Sequence, residues 1–149
     1  IATIGYEDAT PPRLIAALRG AGVATLVDVR ALANSRRPGF AKRALSAALA
    51  EAGIGYRHLP ALGTPAAGRQ AVREGRPEAM RVIFARHMKG VEAGAALAGL
   101  RDLAAREQPS MMCRPGPCGG ACRTDAAWAG MVATGLMGWV SPPPRPPPR

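Results

Sequence analysis

Apolar positions in the amino-terminal part of the chain alternate between two spacings. The short run at Ile1–Tyr6 is β-branched, which is typical of a strand, and we predict two more strands at Val23–Val29 and Ile54–Pro60. The run at Val23–Val29 is continuously apolar rather than alternating. A continuous apolar run is expected where both faces of a parallel strand are covered. Between these runs the apolar residues recur every three or four positions, which predicts a helix after each of the first two strands.

Start and stop signals bound these two helices. Thr10 is a suitable N-cap, Pro11 and Pro12 suit a first turn, and glycines follow the last apolar position. The second helical pattern runs from Phe40 to Ala52 and meets a glycine directly afterwards. Both segments therefore predict helices of ordinary length.

The rest of the chain predicts more helices than strands. We expect a connecting stretch rich in Gly and Pro at Ala61–Arg76, helices at Pro77–Met88 and Val91–Glu107, a fourth strand at Ser110–Cys113, a helix at Thr124–Ala133 and an edge strand at Leu136–Val140.

Successive strand–helix–strand units imply right-handed crossovers and a layered sheet. The predicted fold class is α/β, with three layers, a mostly parallel sheet of about four to five strands with flanking helices, and a Rossmann-like arrangement. We expect a single domain over residues 1–140, divergent from about residue 114. The final "SPPPRPPPR", residues 141–149, predicts a disordered tail, because proline lacks a donor and fixes φ.

Composition limits the class of protein. The chain has 149 residues, of which 48% are hydrophobic, and this is enough for one packed core. No apolar run approaches the ~20 residues that span a bilayer, and the start lacks a secretory pattern. We therefore expect a cytoplasmic protein without a membrane partner. The chain begins at Ile1 rather than Met, so we expect a few preceding residues, and a removed signal remains an alternative.

The net charge of +10 fits a partner that carries phosphates. The abundance of Ala, Gly, Pro and Arg is equally typical of proteins from GC-rich genomes, in which arginine replaces surface lysine. The cysteines at 113, 118 and 122 are odd in number, and their spacing matches no common zinc site. We accordingly expect no metal and no cofactor.

Polar residues follow each predicted strand, and ligands of open α/β sheets bind beyond the carboxyl ends of the strands. This rule brings together Tyr6, Asp28, Arg30, His58 and Cys113. Asp28 and Arg30 share one face of their strand, since the strand period is two. They can pair with each other and anchor the following loop, or they can act jointly on a ligand.

Several of these polar residues also fit a purely structural role. Arg36 and Arg37 fit a solvated loop, Tyr6 fits a ring packed on a helix, and His58 fits a hydrogen-bonded side chain at the edge of the core. The functional interpretation rests on the coincidence of four polar strand ends.

Four segments, "TIGYE", "LVDVRALANSRRPGF", "LAEAGIGYRHLPALGTP" and "FARHM", resemble domain-of-unknown-function family 488 (DUF488), a group of small bacterial and archaeal proteins. The resemblance covers about residues 1–113 and implies an α/β fold with these motifs at one end of the sheet. It implies no settled activity. The residues that match the family motifs are Thr3, Gly5, Tyr6, Asp28, Arg30, Ser35, Phe40, Tyr56, His58, Leu59, Pro60, Leu62, Gly63 and Cys113.

The chain departs from the family pattern at three places. Ala33 replaces a proline, Pro115 stands where a glutamate is expected, and Cys122–Arg123 lacks the histidine of Cys-His-Arg. If the glutamate and the histidine are required chemically, the chain is inactive. A carboxyl-terminal part translated in another reading frame is an alternative explanation, which the gene sequence tests.

The leading hypothesis is an enzyme, or an enzyme-derived domain, that binds a phosphate-bearing small molecule or nucleic acid at the strand ends. The catalytic candidates are Asp28, His58 and Cys113, and the substrate-binding candidates are Tyr6, Arg30, Ser35, Arg36 and Arg123. One alternative is a non-catalytic nucleic-acid-binding module. Another is a cysteine-dependent sulfurtransferase or phosphatase, since Cys118 and Arg123 have the C-x4-R spacing, although the nearby prolines remove donors that its anion cradle needs.

Overall fold

The computed structural model describes residues 2–6, 9–107, 109–113 and 138–139. Their elements in chain order are β1 at Ala2–Gly5, α1 at Pro11–Gly20, β2 at Thr25–Asp28, α2 at Lys42–Glu51, β3 at Gly55–His58, a short 3₁₀ helix at Pro60–Leu62, α3 at Ala66–Arg73, α4 at Pro77–Met88, α5 at Val91–Arg106, β4 at Pro109–Cys113 and β5 at Gly138–Trp139.

The strands form one sheet in the order β3-β2-β4-β1-β5, and every neighbouring pair is parallel. Asp28 lies in register with His58 on one side and with Met112 on the other. In the doubly wound dinucleotide-binding fold the first strand lies beside the second. Here β4 separates β1 from β2, so the Rossmann-like label does not describe this strand order.

Two buried clusters cover the two faces of the sheet. Val27 and Met111 pack with residues of α3, α4 and α5, whereas Leu26 and Met112 pack with residues of α1 and α2. Because successive strand residues point to opposite faces, these two sets lie on opposite sides of the sheet. The predicted α/β class with helices flanking a parallel sheet is therefore confirmed.

Most predicted elements agree with the structure, with one correction. Helix α4 spans Pro77–Met88 as the pattern indicates, and all four residues of β2 are buried, as a continuously apolar strand requires. The sequence predicts a connection from Ala61 to Arg76, but half of this stretch, Ala66–Arg73, is helix α3. This helix buries only Gly68 and Ala71, so it has no periodicity of large apolar residues.

Several other expectations fall on parts of the chain that the structure does not describe. The helix at Thr124–Ala133 and the tail at residues 141–149 lie outside the described residues, as does most of the divergent region from about residue 114. Within the described ranges, no helix combines the length and the apolar character needed to cross a membrane.

A close approach of two main-chain segments positions the loop after β2. A Cβ atom on Gly63 would lie 2.5 Å from the carbonyl oxygen of Val29 and still nearer to the amide nitrogen of Ala31. Since both neighbours are backbone atoms, they cannot rotate away. The glycine is needed here because of this contact, which holds the segment after β3 against the end of β2.

We expect Gly63→Ala to destabilise the protein by about 1–3 kcal/mol, because the added methyl group overpacks a backbone contact. Gly94→Ala is the matched control, since Gly94 lies on α5 and its Cβ position has no atom within 4 Å apart from the backbone of its own helix. Alanine should stabilise that helix by roughly 0.5–1 kcal/mol. Urea denaturation measures both changes, and a Gly63→Ala protein as stable as wild type would contradict the close approach.

Candidate functional site

The polar residues at the strand ends collect on one face of the sheet. Tyr6 and Tyr56 both contact the cluster that includes α1 and α2, and His58 follows Tyr56 by two residues on the same strand. The alternation of side chains along a strand therefore directs these residues, together with Asp28, to the same face. The site is built from β1, β2 and β3 at their carboxyl ends.

The centre of the site is a buried ion pair between Asp28 and Arg30. Nη2 of Arg30 lies 2.6 Å from Oδ2 of Asp28, and Nε lies 2.8 Å from Oδ1. The main-chain N–H of Arg30 also donates to Oδ1, at 3.1 Å. Asp28 is 0% exposed and Arg30 is 7% exposed. The paired arrangement that the sequence allowed is thus present, with two parallel hydrogen bonds that fix both side chains.

The remaining donor group of Arg30 anchors the loop between β2 and α2, residues 29–41, which we call the β2–α2 loop. Nη1 donates to the carbonyl oxygen of Phe40 at 3.0 Å and to the hydroxyl of Tyr6 at 3.4 Å. The guanidinium carbon lies 5.2 Å from the centre of the Tyr6 ring, which is stacked on Phe40. All three guanidinium nitrogens of Arg30, Nε, Nη1 and Nη2, therefore have partners within the protein.

Tyr56 completes the environment of the buried carboxylate. Its hydroxyl donates to Oδ2 of Asp28 at 2.6 Å. Burial alone would raise the pKa of Asp28, but the hydrogen bonds from Arg30 and Tyr56 outweigh it and hold this pKa below its usual value. Burial and the same hydrogen bond raise the pKa of Tyr56. At neutral pH the network thus contains a carboxylate and a neutral phenol.

His58 is tied to the same network through the main chain. Its Nε2 lies 2.8 Å from the carbonyl oxygen of Arg30. Because a carbonyl oxygen only accepts, Nε2 carries a proton, and in a neutral imidazole ring Nδ1 is then the acceptor nitrogen. The ring is half-buried, and Nδ1 forms no hydrogen bond with another described residue.

Adjacent arginines of the β2–α2 loop have different environments. Arg37 is half-buried and donates to the carbonyl oxygens of Tyr6 at 2.6 Å and Ala9 at 2.8 Å. Its main-chain N–H also donates to Oγ of Ser35 at 3.2 Å. Arg36 is exposed, with no hydrogen bond or ion pair to another described residue. The solvated interpretation thus fits Arg36 but is wrong for Arg37, which joins the loop to the segment after β1.

The structure brings together four of the predicted site residues, namely Tyr6, Asp28, Arg30 and His58, while Ser35 and Arg36 lie on the adjoining loop. The backbone of Cys113 is in register with Gly5 in β1, which places it at the same end of the sheet. Arg123 and the other two cysteines lie outside the described residues. The catalytic and substrate-binding roles of these residues remain predictions.

Two residues of the network were absent from the predicted site. The sequence contained a signal for Tyr56, because it stands two residues before His58 and thus on the same strand face. It contained no comparable signal for Arg37, since adjacent loop arginines look equivalent until the fold positions them.

Asp28 and His58 differ in how many of their hydrogen-bonding positions are occupied. Both oxygens of Asp28 already accept hydrogen bonds, so this carboxylate is occupied in holding Arg30 and Tyr56. His58 keeps one nitrogen lone pair unused by the network. Among the described residues, no group of three or more His, Cys, Asp or Glu side chains could hold a metal ion.

Comparison with known proteins identifies the family. The model of the family described as "Domain of unknown function DUF488" matches residues 10–115, which is well over half of the chain. The chain therefore belongs to the DUF488 family, and the resemblance seen in its motifs is confirmed. No curated protein and no solved structure matches it.

Replacement of Asp28 by Asn should cost about 3–5 kcal/mol of stability, because it leaves the Arg30 cation buried without its counter-ion. Glu78→Gln is the control, since it breaks an exposed ion pair with Arg81 and should have little effect. Tyr56→Phe, which removes one hydrogen bond to Asp28, should cost about 1.5–3 kcal/mol. Urea denaturation gives all three values, and similar small losses for Asp28→Asn and Glu78→Gln would contradict a central role for the pair.

The lowered pKa of Asp28 also predicts an acid limit to stability. A carboxylate with a depressed folded-state pKa contributes stability above its unfolded pKa of about 3.9 and loses that contribution as the pH falls through the folded value. The free energy of unfolding of the wild type should therefore decrease when the pH is lowered below about 4. Denaturation of Asp28→Asn across the same pH range should show a shallower decline.

Arg37→Ala should destabilise the protein by about 1–3 kcal/mol, because two carbonyl oxygens lose a charged donor. Arg36→Ala removes an equal charge from the neighbouring position and should leave the free energy of unfolding unchanged. Thermal or urea denaturation of the two variants makes the comparison directly. Equal effects would show that Arg37 does not hold the loop.

Proposed function

We propose that this DUF488 protein is an enzyme, or an enzyme-derived domain, that binds a phosphate-bearing ligand at the carboxyl ends of β1, β2 and β3. The observation that carries the proposal is the single hydrogen-bonded network that joins Tyr6, the Asp28–Arg30 pair, Tyr56 and His58 from three strands. A stably folded core needs no such convergence of polar groups. Convergent polar groups at this edge are typical of α/β ligand sites.

In this proposal the residues divide into supporting and contacting groups. Asp28 and Arg30 are positioning residues, because their polar atoms are already paired with each other and with the surrounding protein. Arg36 would contact the ligand, since it is exposed and a guanidinium suits phosphate oxygens. His58 would accept a proton, or a hydrogen bond from the ligand, through Nδ1.

A cysteine-dependent reaction is a second candidate because of the place of Cys113. Its backbone is in register with Gly5, directly beyond the level of Asp28 in the sheet. Its main chain therefore ends β4 at the same edge of the sheet as the proposed ligand. Selective alkylation of this cysteine at neutral pH, prevented by pyrophosphate, would favour this candidate over proton transfer by His58.

Isothermal titration with inorganic pyrophosphate tests ligand binding. We expect Arg36→Ala to weaken the affinity about tenfold, the effect of losing roughly 1.4 kcal/mol from a charged hydrogen bond. Arg106→Ala is the charge-matched control, because this exposed arginine ends α5, which leads into the opposite end of the sheet. Equal affinities for Arg36→Ala and Arg106→Ala would contradict the proposed site.

The two histidines of the chain provide an internal comparison. His87 donates through Nε2 to the carbonyl oxygen of Ala61 at 2.7 Å, which is the arrangement that His58 makes with Arg30. In ¹⁵N spectra, pyrophosphate should therefore shift the Nδ1 resonance of His58 and leave that of His87 in place. Shifts of equal size in both would indicate a general charge effect and would contradict a ligand at His58.

A further inference from the structure

The β2–α2 loop and the first turn of α2 carry a concentration of positive charge. Residues 29–50 contain five cations and no carboxylate. Arg30 is neutralised by Asp28 and Arg37 is half-buried, which leaves Arg36, Lys42 and Arg43 exposed. We call these three residues the basic rim.

The basic rim lies on the β2–α2 loop and on the start of the helix that this loop joins. The main-chain N–H of Lys42 donates to the carbonyl oxygen of Ala33 at 3.0 Å, so the start of α2 is fixed against the loop. None of the three cations forms an ion pair with a described carboxylate. Elsewhere, by contrast, Arg76 and Arg81 are paired with Glu74 and Glu78. Glu7 and Asp8, which follow β1 in sequence, lie outside the described residues.

An apolar side chain is exposed within the same loop. Leu32 is 61% exposed, and it is one of three large hydrophobic side chains with high exposure among the described residues. The other two, Val82 and Val91, are on α4 and α5. A large exposed apolar group on the same loop as exposed cations suits a ligand that offers both phosphates and uncovered base faces. A single strand offers both, whereas a duplex hides its base faces by stacking.

We infer that the basic rim binds the phosphodiester backbone of a single-stranded nucleic acid, with Leu32 in contact with an unstacked base. The inference rests on the proposed function in placing phosphates at this edge of the sheet. It adds the class of ligand, a strand with several phosphates rather than an isolated phosphate group. It also gives a role to the exposed cations that the hydrogen-bonded network does not use.

Fluorescence anisotropy with a labelled single-stranded oligothymidylate tests the inference. Three phosphate contacts on a single strand predict a slope of log affinity against log salt of about −2, which is roughly a 20-fold loss between about 50 and 200 mM salt. Replacement of both Lys42 and Arg43 by Ala should reduce this slope by about 1.4. Replacement of both Arg101 and Arg106, exposed on α5, is the charge-matched control and should leave the slope unchanged.

Leu32→Ser separates strand recognition from simple attraction of phosphate. It should weaken oligothymidylate binding at least threefold and leave the binding of inorganic polyphosphate unchanged, since polyphosphate has no bases. A duplex of equal length should bind more weakly than the single strand. If polyphosphate, duplex and single strand bind equally and Leu32→Ser changes none of them, the inference is overturned while the pyrophosphate site stands. Failure to bind pyrophosphate would instead contradict the proposed function.

Discussion

The buried pair of Asp28 and Arg30 is the interaction on which the arrangement of this edge of the sheet depends. Two charges removed from water gain little net stability from each other, because desolvation offsets much of their attraction. Their effect lies in what they position. The carboxylate holds the Tyr56 hydroxyl, the guanidinium holds Tyr6 and the carbonyl oxygen of Phe40, and the carbonyl oxygen of Arg30 holds His58. One pair therefore fixes side chains from three strands and one loop.

This role limits what the two residues can do chemically. A carboxylate that already accepts four hydrogen bonds, with its pKa lowered, is a poor proton acceptor at neutral pH. A guanidinium with all its nitrogens engaged in protein contacts has no fork left for a phosphate. In the proposed function, the groups that act on the ligand are therefore others that this network positions. His58, with Nδ1 unused by the network, is one such group, and the exposed Arg36 on the anchored loop is another.

The local pattern of apolar residues was sufficient to predict the α/β fold class and the proximity of the polar residues that follow the strands. The burial of β2 and the helix α4 could be predicted, because both depend on the pattern of apolar residues within a short segment. The position of β4 between β1 and β2 could not, because strand order is set by packing of distant segments. The sequence pattern does not predict helix α3, because the buried residues of this helix are the small Gly68 and Ala71. The different environments of Arg36 and Arg37 were also not predictable, because they depend on the carbonyl oxygens of residues 6 and 9, which are distant in sequence.

The buried Asp28–Arg30 pair has no net charge, whereas the basic rim at the surface is positively charged. Helices α1, α2 and α3 each begin at the carboxyl edge of the sheet, and none has an acidic residue in its first turn or a side-chain cap. Their amino-terminal dipoles thus add to the positive potential of the basic rim. A free carboxylate at residue 28 would oppose that potential, but Arg30 cancels its charge. The buried pair therefore fixes the side chains at this edge without adding a net negative charge to it.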